Sequence, residues 1–159
     1  MQSNRLKNCP RNRESLVVPN NTQWNWKCDK QIPSDPNIGV KLICELLEHL
    51  QQCGWSEKDI FAIHMSFEEA LMNAIKHGNC RDLDKLVVVA LRTSHKQIYI
   101  KITDEGRGFD PDSVPDPTLD EYIDRPCGRG VMLMRCYMDE VIFNATGNSV
   151  EMSKQRTHP

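Results

Sequence analysis

Apolar residues change period several times along the chain, and each change marks an element. Ile38, Leu42, Ile43, Leu46, Leu47 and Leu50 recur at three- and four-residue steps. They predict an amphipathic helix opened by Ser34-Asp35-Pro36 and closed near Cys53-Gly54. A second helix is predicted from Ser56 to His77, with Gly78-Asn79 as its stop. Two strands follow. Leu86 to Arg92 is nearly all apolar, whereas Gln97 to Thr103 alternates Ile98, Ile100 and Ile102. That contrast predicts a central strand buried on both faces beside a less covered neighbour. Val131, Leu133, Met134 and Tyr137 give a further helix after Gly128-Arg129-Gly130. Two closing strands, Glu140 to Ala145 and Ser149 to Lys154, flank a turn at Gly147-Asn148. Upstream, Arg13 to Cys28 reads as two strand-like pieces around Pro19-Asn20-Asn21, with Trp24 and Trp26 on one face by alternation.

With 159 residues, this pattern fits one domain with a real core. Hydrophobic residues at 39% and a net charge of -2 exclude a disordered tail protein and give no generic electrostatic case for nucleic acid or an anionic membrane. The longest apolar run, Leu86 to Leu91, is six residues against the roughly 18 a membrane helix needs. The first residues, MQSNRLKNCPRNRES, are polar and lack the apolar stretch of a signal peptide. None of the seven cysteines forms a Cys-x-x-Cys pair, so the spacing points to reduced thiols. Cys44 and Cys136 fall within apolar helical patterns, where free Cys acts as a small hydrophobe.

The second helix carries the first chemical signal. Ile60, Ile63, Phe67 and Leu71 form its core stripe, and Glu69, Asn73 and His77 lie opposite at i+4 steps. Ala62, Ser66 and Ala70 come between them, small residues where a solvated face would carry Lys, Glu and Gln. Something is expected to approach this face closely; an ordinary polar face with alanines chosen for propensity is the plainer reading. An Asn carbonyl oxygen suits a hard divalent cation, and a Glu one turn away can take a proton from a hydroxyl or water.

Two glycine motifs follow. In DEGRGFD, Asp104 directly ends a strand, and Gly106 and Gly108 permit close backbone approach. Dinucleotide and Walker A patterns both fail here, so by itself this is as well read as a strand-ending turn. Gly128-Arg129-Gly130 precedes a helix, where backbone N–H groups can receive phosphate or simply form a loop-to-helix junction. Between the motifs, Asp110 to Pro126 holds prolines 111, 115, 117 and 126 and six carboxylates, the composition of a long functional loop.

In this order, EEALMNAIKHGN, ITDEGRGFD and RPCGRGVMLMRCYMDEV resemble the N, G1 and G2 boxes of the GHKL ATP-binding superfamily. The closer resemblance is to the bacterial anti-sigma factor serine/threonine kinases, over roughly residues 30 to 154. It implies an α+β fold, a two-layer α/β sandwich with a mixed, mostly antiparallel sheet and helices on one face. The expected organisation is an N-terminal arm and strand region over 1–29 and an ATP-binding domain over 30–159, with a lid at 110–127.

The resemblance also implies roles. Glu69 would be the general base and Asn73 the Mg²⁺ ligand in the nucleotide site. Asp104 would accept the adenine amino hydrogen with Gly106 and Gly108 beneath the base, while Gly128, Arg129 and Gly130 would line the phosphates. Arg125 would reach the terminal phosphate, although it stands one residue further from the first glycine than the family pattern. The usual Gly-Thr of the last hairpin is Gly147-Asn148-Ser149, so a hydroxyl contact to phosphate is lost or moves to Ser149. His77 also matches and reads as a structural helix-end residue.

By the same resemblance, ATP and Mg²⁺ are the cofactors. The substrate is a Ser or Thr of an anti-anti-sigma STAS-domain protein, and a sigma factor is the protein held inactive. A cytoplasmic homodimer that touches neither nucleic acid nor membrane is expected. Two alternatives are an ATP-binding regulator of the same fold without kinase activity, and the ATPase module of a histidine kinase or larger machine. The second would need a phosphoacceptor-helix domain, for which 159 residues leave no room.

Overall fold

A computed structural model describes residues 15–16, 22–110 and 129–157. The N-terminal arm before residue 15, most of the expected lid, and Arg125 and Gly128 lie outside the described residues.

The chain order is β1 (Trp26–Pro33), α1 (Pro36–Gln52), α2 (Glu57–Asn73), a π turn (Ala74–Gly78), β2 (Leu86–Thr93), β3 (Gln97–Thr103), α3 (Arg129–Tyr137), β4 (Glu140–Phe143) and β5 (Ser149–Gln155). The strands form one five-stranded sheet in the order β1-β2-β3-β5-β4, and every described pairing is antiparallel. This is the α+β sandwich the motifs implied, without a parallel pair among the described strands. The expected boundary at residue 29 falls inside β1.

Both long helices begin where the sequence supplies a cap. Asp35 accepts from Asn37 N–H at 2.8 Å, with Pro36 as the first helical residue. Ser56 Oγ accepts from Asp59 N–H at 3.1 Å. Leu42, Ile43, Leu46 and Leu50 of α1 and Ile63, Phe67 and Leu71 of α2 face one side of the sheet. There they meet Val87, Val89, Leu91, Ile98, Ile100, Ile102, Val150 and Met152. Trp26 joins this inner side, stacked on His49 of α1 with ring centroids 4.2 Å apart. His49 Nε2 lies 2.8 Å from Thr93 Oγ1, and burial lowers its pKa.

Three expectations are corrected. β2 is not buried on both faces: its side chains alternate, and Leu86 and Val88 are 37% and 43% exposed. Among the described residues the helices cover one face alone, and an apolar run does not by itself report what covers it. Trp24 and Trp26 do not share a face. The backbone bends at Asn25, which breaks the two-residue period, and Trp24 packs near Tyr99 on the outer face at 6.5 Å. Cys44 and Cys136 are exposed, because each falls off its helix's buried stripe; the five described cysteines are all free.

On that outer face sits a buried carboxylate. Glu151 pairs with Lys101 Nζ at 3.0 Å, and the Leu16 N–H donates to it at 2.9 Å. Burial first, and then the Glu151 charge, push the Tyr99 phenol well above its usual pKa.

The C-terminal segment is tied to α2 through Asp59, whose side chain is 1% exposed. Burial opposes its charge, but bonds from Thr157 Oγ1 at 2.7 Å and Thr157 N–H at 3.0 Å outweigh it. Ser56, and Lys154 at 3.7 Å, add to this and hold the carboxyl below its ordinary pKa. A depressed carboxyl contributes stability above its unfolded pKa and loses it as pH falls through the folded one. Asp59→Ala is therefore expected to cost about 3–5 kcal/mol at neutral pH, as for one broken partner of a buried pair. Below about pH 4 the difference from the parent chain should narrow. Urea melts of both proteins at pH 7 and pH 3.5 check this; an equal gap at both values would contradict it.

Candidate functional site

The inward end of α2 and the loops beyond it carry the chemistry-bearing residues. Glu69 and Asn73 stand one turn apart, and Asn73 Nδ2 donates to Glu69 Oε1 at 3.0 Å. That bond fixes the Asn amide orientation, so its carbonyl oxygen is the free end and has no partner among the described residues. A helix that presents one carboxylate and one free amide oxygen can bind a hard cation and accept a proton side by side.

The element that approaches this face is α3. Phe61 meets Tyr137 edge-on at 5.7 Å, and Gly130 lies against Glu69 at the other end, so the two helices run antiparallel. Ala62, Ser66 and Ala70, which lie between these contacts, are buried. The small residues of α2 thus make room for a neighbouring helix. A side chain at position 130 would overlap the Glu69 carboxylate, so glycine there keeps that carboxylate in place. Arg129, exposed, begins α3 beside it.

Past Asn73 the helix widens into the π turn, a distortion frequent at functional sites. It ends against Asp104. Gly78 and Gly106 bracket the Asp104 carboxylate so closely that a Cβ on either would collide with it or with the facing backbone. Asp104 Oδ1 accepts the Gly106 N–H at 2.7 Å, and Oδ2 has no hydrogen-bond partner among the described residues. Desolvation raises the Asp104 pKa, against the smaller opposing effects of the Gly106 bond and Lys85. A half-buried carboxylate with one oxygen unpartnered, set among glycines, can accept a hydrogen bond from an N–H donor that approaches closely. Gly108 and Gly147 press the next stretch of loop against the last hairpin.

Two asparagines absent from the sequence-derived site complete the frame. Asn148 donates from Nδ2 to Asp104 O at 2.9 Å and accepts Asp104 N–H on its own carbonyl at 2.9 Å. Asn79, fully buried, accepts the Glu105 N–H at 2.8 Å. Position 148 is where the family's threonine was expected to be replaced, and the residue there holds Asp104's backbone. Ser149 is not brought to the site. Its hydroxyl lies 2.7 Å from Thr103 Oγ1 on the outer face of the sheet. There, with Lys101 and Glu151, it lines a hollow of about 260 Å³. The outer-face hollow and the Glu69–Asp104 group are on opposite sides of the sheet. His77 is exposed within the π turn.

Among the described residues no three His, Cys, Asp or Glu side chains converge on a metal position. Nor is any described helix long and apolar enough to cross a membrane.

The described residues thus form a two-layer sandwich in which a polar helix end lies beside a glycine-framed carboxylate. Residues 32–154 match the histidine kinase-like ATPase domain family, and the chain belongs to it. The serine/threonine-protein kinase BtrW of Bordetella bronchiseptica is 30% identical over 100 residues, 61% of this chain and 70% of that protein. The crystal structure of the RsbU and RsbW domains of Rv1364c from Mycobacterium tuberculosis superimposes with a TM-score of 0.55 at 17% identity. That match covers 84% of this chain and 33% of the other, so the chain spans about a third of that protein. The resemblance read from the three motifs holds.

Proposed function

We propose that the chain is an ATP-dependent serine/threonine kinase of the anti-sigma type. It phosphorylates a Ser or Thr of a small STAS-domain anti-anti-sigma protein and holds a sigma factor inactive. The observation that carries this reading is the Glu69–Asn73 pair facing Gly130 at the head of α3, with the half-buried Asp104 beyond it.

Phosphoryl transfer depends on positioning and charge neutralisation more than on covalent chemistry. Asp104 accepts the exocyclic amino hydrogen of adenine on its unpartnered oxygen, and Gly106 and Gly108 leave room for the base. Asn73 offers its free carbonyl oxygen to Mg²⁺, which suits a cation that takes its other oxygens from phosphates and water. Bound there, Mg²⁺ would neutralise charge on the phosphates. The first N–H groups of α3, from Arg129 and Gly130, face the same phosphates; the resemblance adds Gly128 and Arg125. Glu69, held by Asn73 at 3.0 Å, takes the proton of the acceptor hydroxyl. The relative's name as a serine/threonine-protein kinase supports a hydroxyl acceptor. A structural neighbour that joins RsbU and RsbW domains supports a partner-switching role. The working form is a cytoplasmic homodimer.

Size-exclusion chromatography tests the sequestration half of this reading. The chain, Mg-ATP and a sigma factor should co-elute, and an unphosphorylated STAS protein should displace the sigma factor. Independent elution of the chain and the sigma factor under all nucleotide conditions would contradict it.

A further inference from the structure

Asn79, read from sequence as a helix stop, uses its whole side chain in the interior. Its Oδ1 accepts the Glu105 N–H at 2.8 Å, and Nδ2 donates to Ser34 Oγ at 2.9 Å and to Leu86 O at 3.0 Å. Both amide hydrogens are therefore committed. Ser34, also fully buried, donates in turn to Lys85 O at 2.8 Å, and the Asn79 N–H closes the π turn on Ala74 O at 2.8 Å. One side chain thus joins the helix end that bears Asn73 to the residue just after Asp104. The start of β2 and the β1–α1 junction serve as its anchors.

The three successive N–H groups of the Asp104–Gly106 turn each have a different acceptor. Asp104 N–H goes to Asn148 O, Glu105 N–H to Asn79 Oδ1, and Gly106 N–H to Asp104 Oδ1. Of these, the Asn79 bond alone refers the turn to α2. Without it, the turn would be held by the hairpin, by the Glu105 carboxylate that accepts the Leu86 N–H at 2.6 Å and by close packing on Gly78, and its backbone would lose its hydrogen bond to the end of α2.

We propose that Asn79 is a positioning residue for base recognition, setting the Asp104 carboxylate against the helix end so that it selects adenine. This rests on the reading of Asp104 given above. A residue that merely stabilised the fold would affect every nucleotide alike, whereas one that aims Asp104 affects the purines unequally. Guanine presents a carbonyl where adenine presents an amino group, so the carboxylate's placement decides between them.

The test titrates Mg-ADP and Mg-GDP into the full chain, Asn79→Ala and Ser34→Ala by calorimetry. The parent chain should prefer ADP. Asn79→Ala should weaken ADP by about tenfold or more, the usual cost of leaving a buried group unpaired, with much less effect on GDP. Ser34→Ala keeps the bond to Glu105 but removes its backing, so it should shift the ADP preference in the same direction by less. It decides the matter alone if Asn79→Ala does not fold. An unchanged preference, or equal losses for both nucleotides, in the variants that fold overturns the proposal. A parent chain that binds both diphosphates alike removes the Asp104 reading, and this inference with it.

Discussion

Replacing Glu69 with Gln is expected to leave ATP binding nearly unchanged and to slow phosphoryl transfer by about 10²–10⁴-fold, the usual contribution of a general base. The substitution isolates basicity. Gln keeps an oxygen that can accept the Asn73 Nδ2 hydrogen, as Glu69 Oε1 does at 3.0 Å, and its size fits the space left by Gly130. The Asn73 carbonyl therefore keeps its orientation, and any loss reports the missing proton acceptor. Single-turnover transfer at saturating ATP checks it, alongside a nucleotide titration of the same variant. Undiminished transfer would remove Glu69 from the mechanism.

Asp104→Asn should give two effects of opposite sign. The raised pKa of Asp104 reflects a carboxylate whose charge is poorly solvated in the folded chain. For such a group the stability contribution is fully present below the unfolded pKa and is lost as pH rises through the folded one. At neutral pH the charged Asp104 therefore costs stability, and Asn should raise the Tm of the nucleotide-free chain. Asn can still accept the Gly106 N–H, so the turn keeps its shape. Adenine nucleotide binding should fall by roughly 10- to 100-fold, because a hydrogen bond to a charged group is worth about 1.5–3 kcal/mol. Thermal melts at pH 7, paired with ADP titrations, read both signs. Unchanged ADP affinity would show that the carboxylate does not meet the base; a lower Tm would show that burial is not what raises its pKa.

Much of this architecture was legible because local rules and the global fold agree. The α1 and α2 stripes, the Asp35 and Ser56 caps and the alternating isoleucines of β3 each specify an element from neighbouring residues. Glu69 and Asn73 were legible for the same reason, since helical spacing alone puts them on one face. The misread features depend on long-range partners. What covers β2 is decided by helices packing on one side of the sheet, which its own six apolar residues cannot report. Trp24 and Trp26 part company at a bend that the two-residue period conceals. The small residues of α2 did signal close approach, but of α3. Asn79 and Asn148 were invisible as parts of the site because their importance lies in bonds to residues 26 and 44 positions away. At position 148 the departure from the family's Gly-Thr is visible in the sequence, but the hydroxyl does not move to the site with Ser149. Strand alternation places that hydroxyl on the opposite face.

We propose that this site moves a phosphoryl group from ATP to a protein hydroxyl. The most direct measurement incubates the chain with γ-labelled Mg-ATP and a purified STAS-domain protein, then examines the acid stability and position of the label. The expected result is acid-stable label on a Ser or Thr of the STAS protein, lost with Glu69→Gln. Acid-labile label on a histidine, or intact ATP binding with no label on any STAS acceptor, would contradict it.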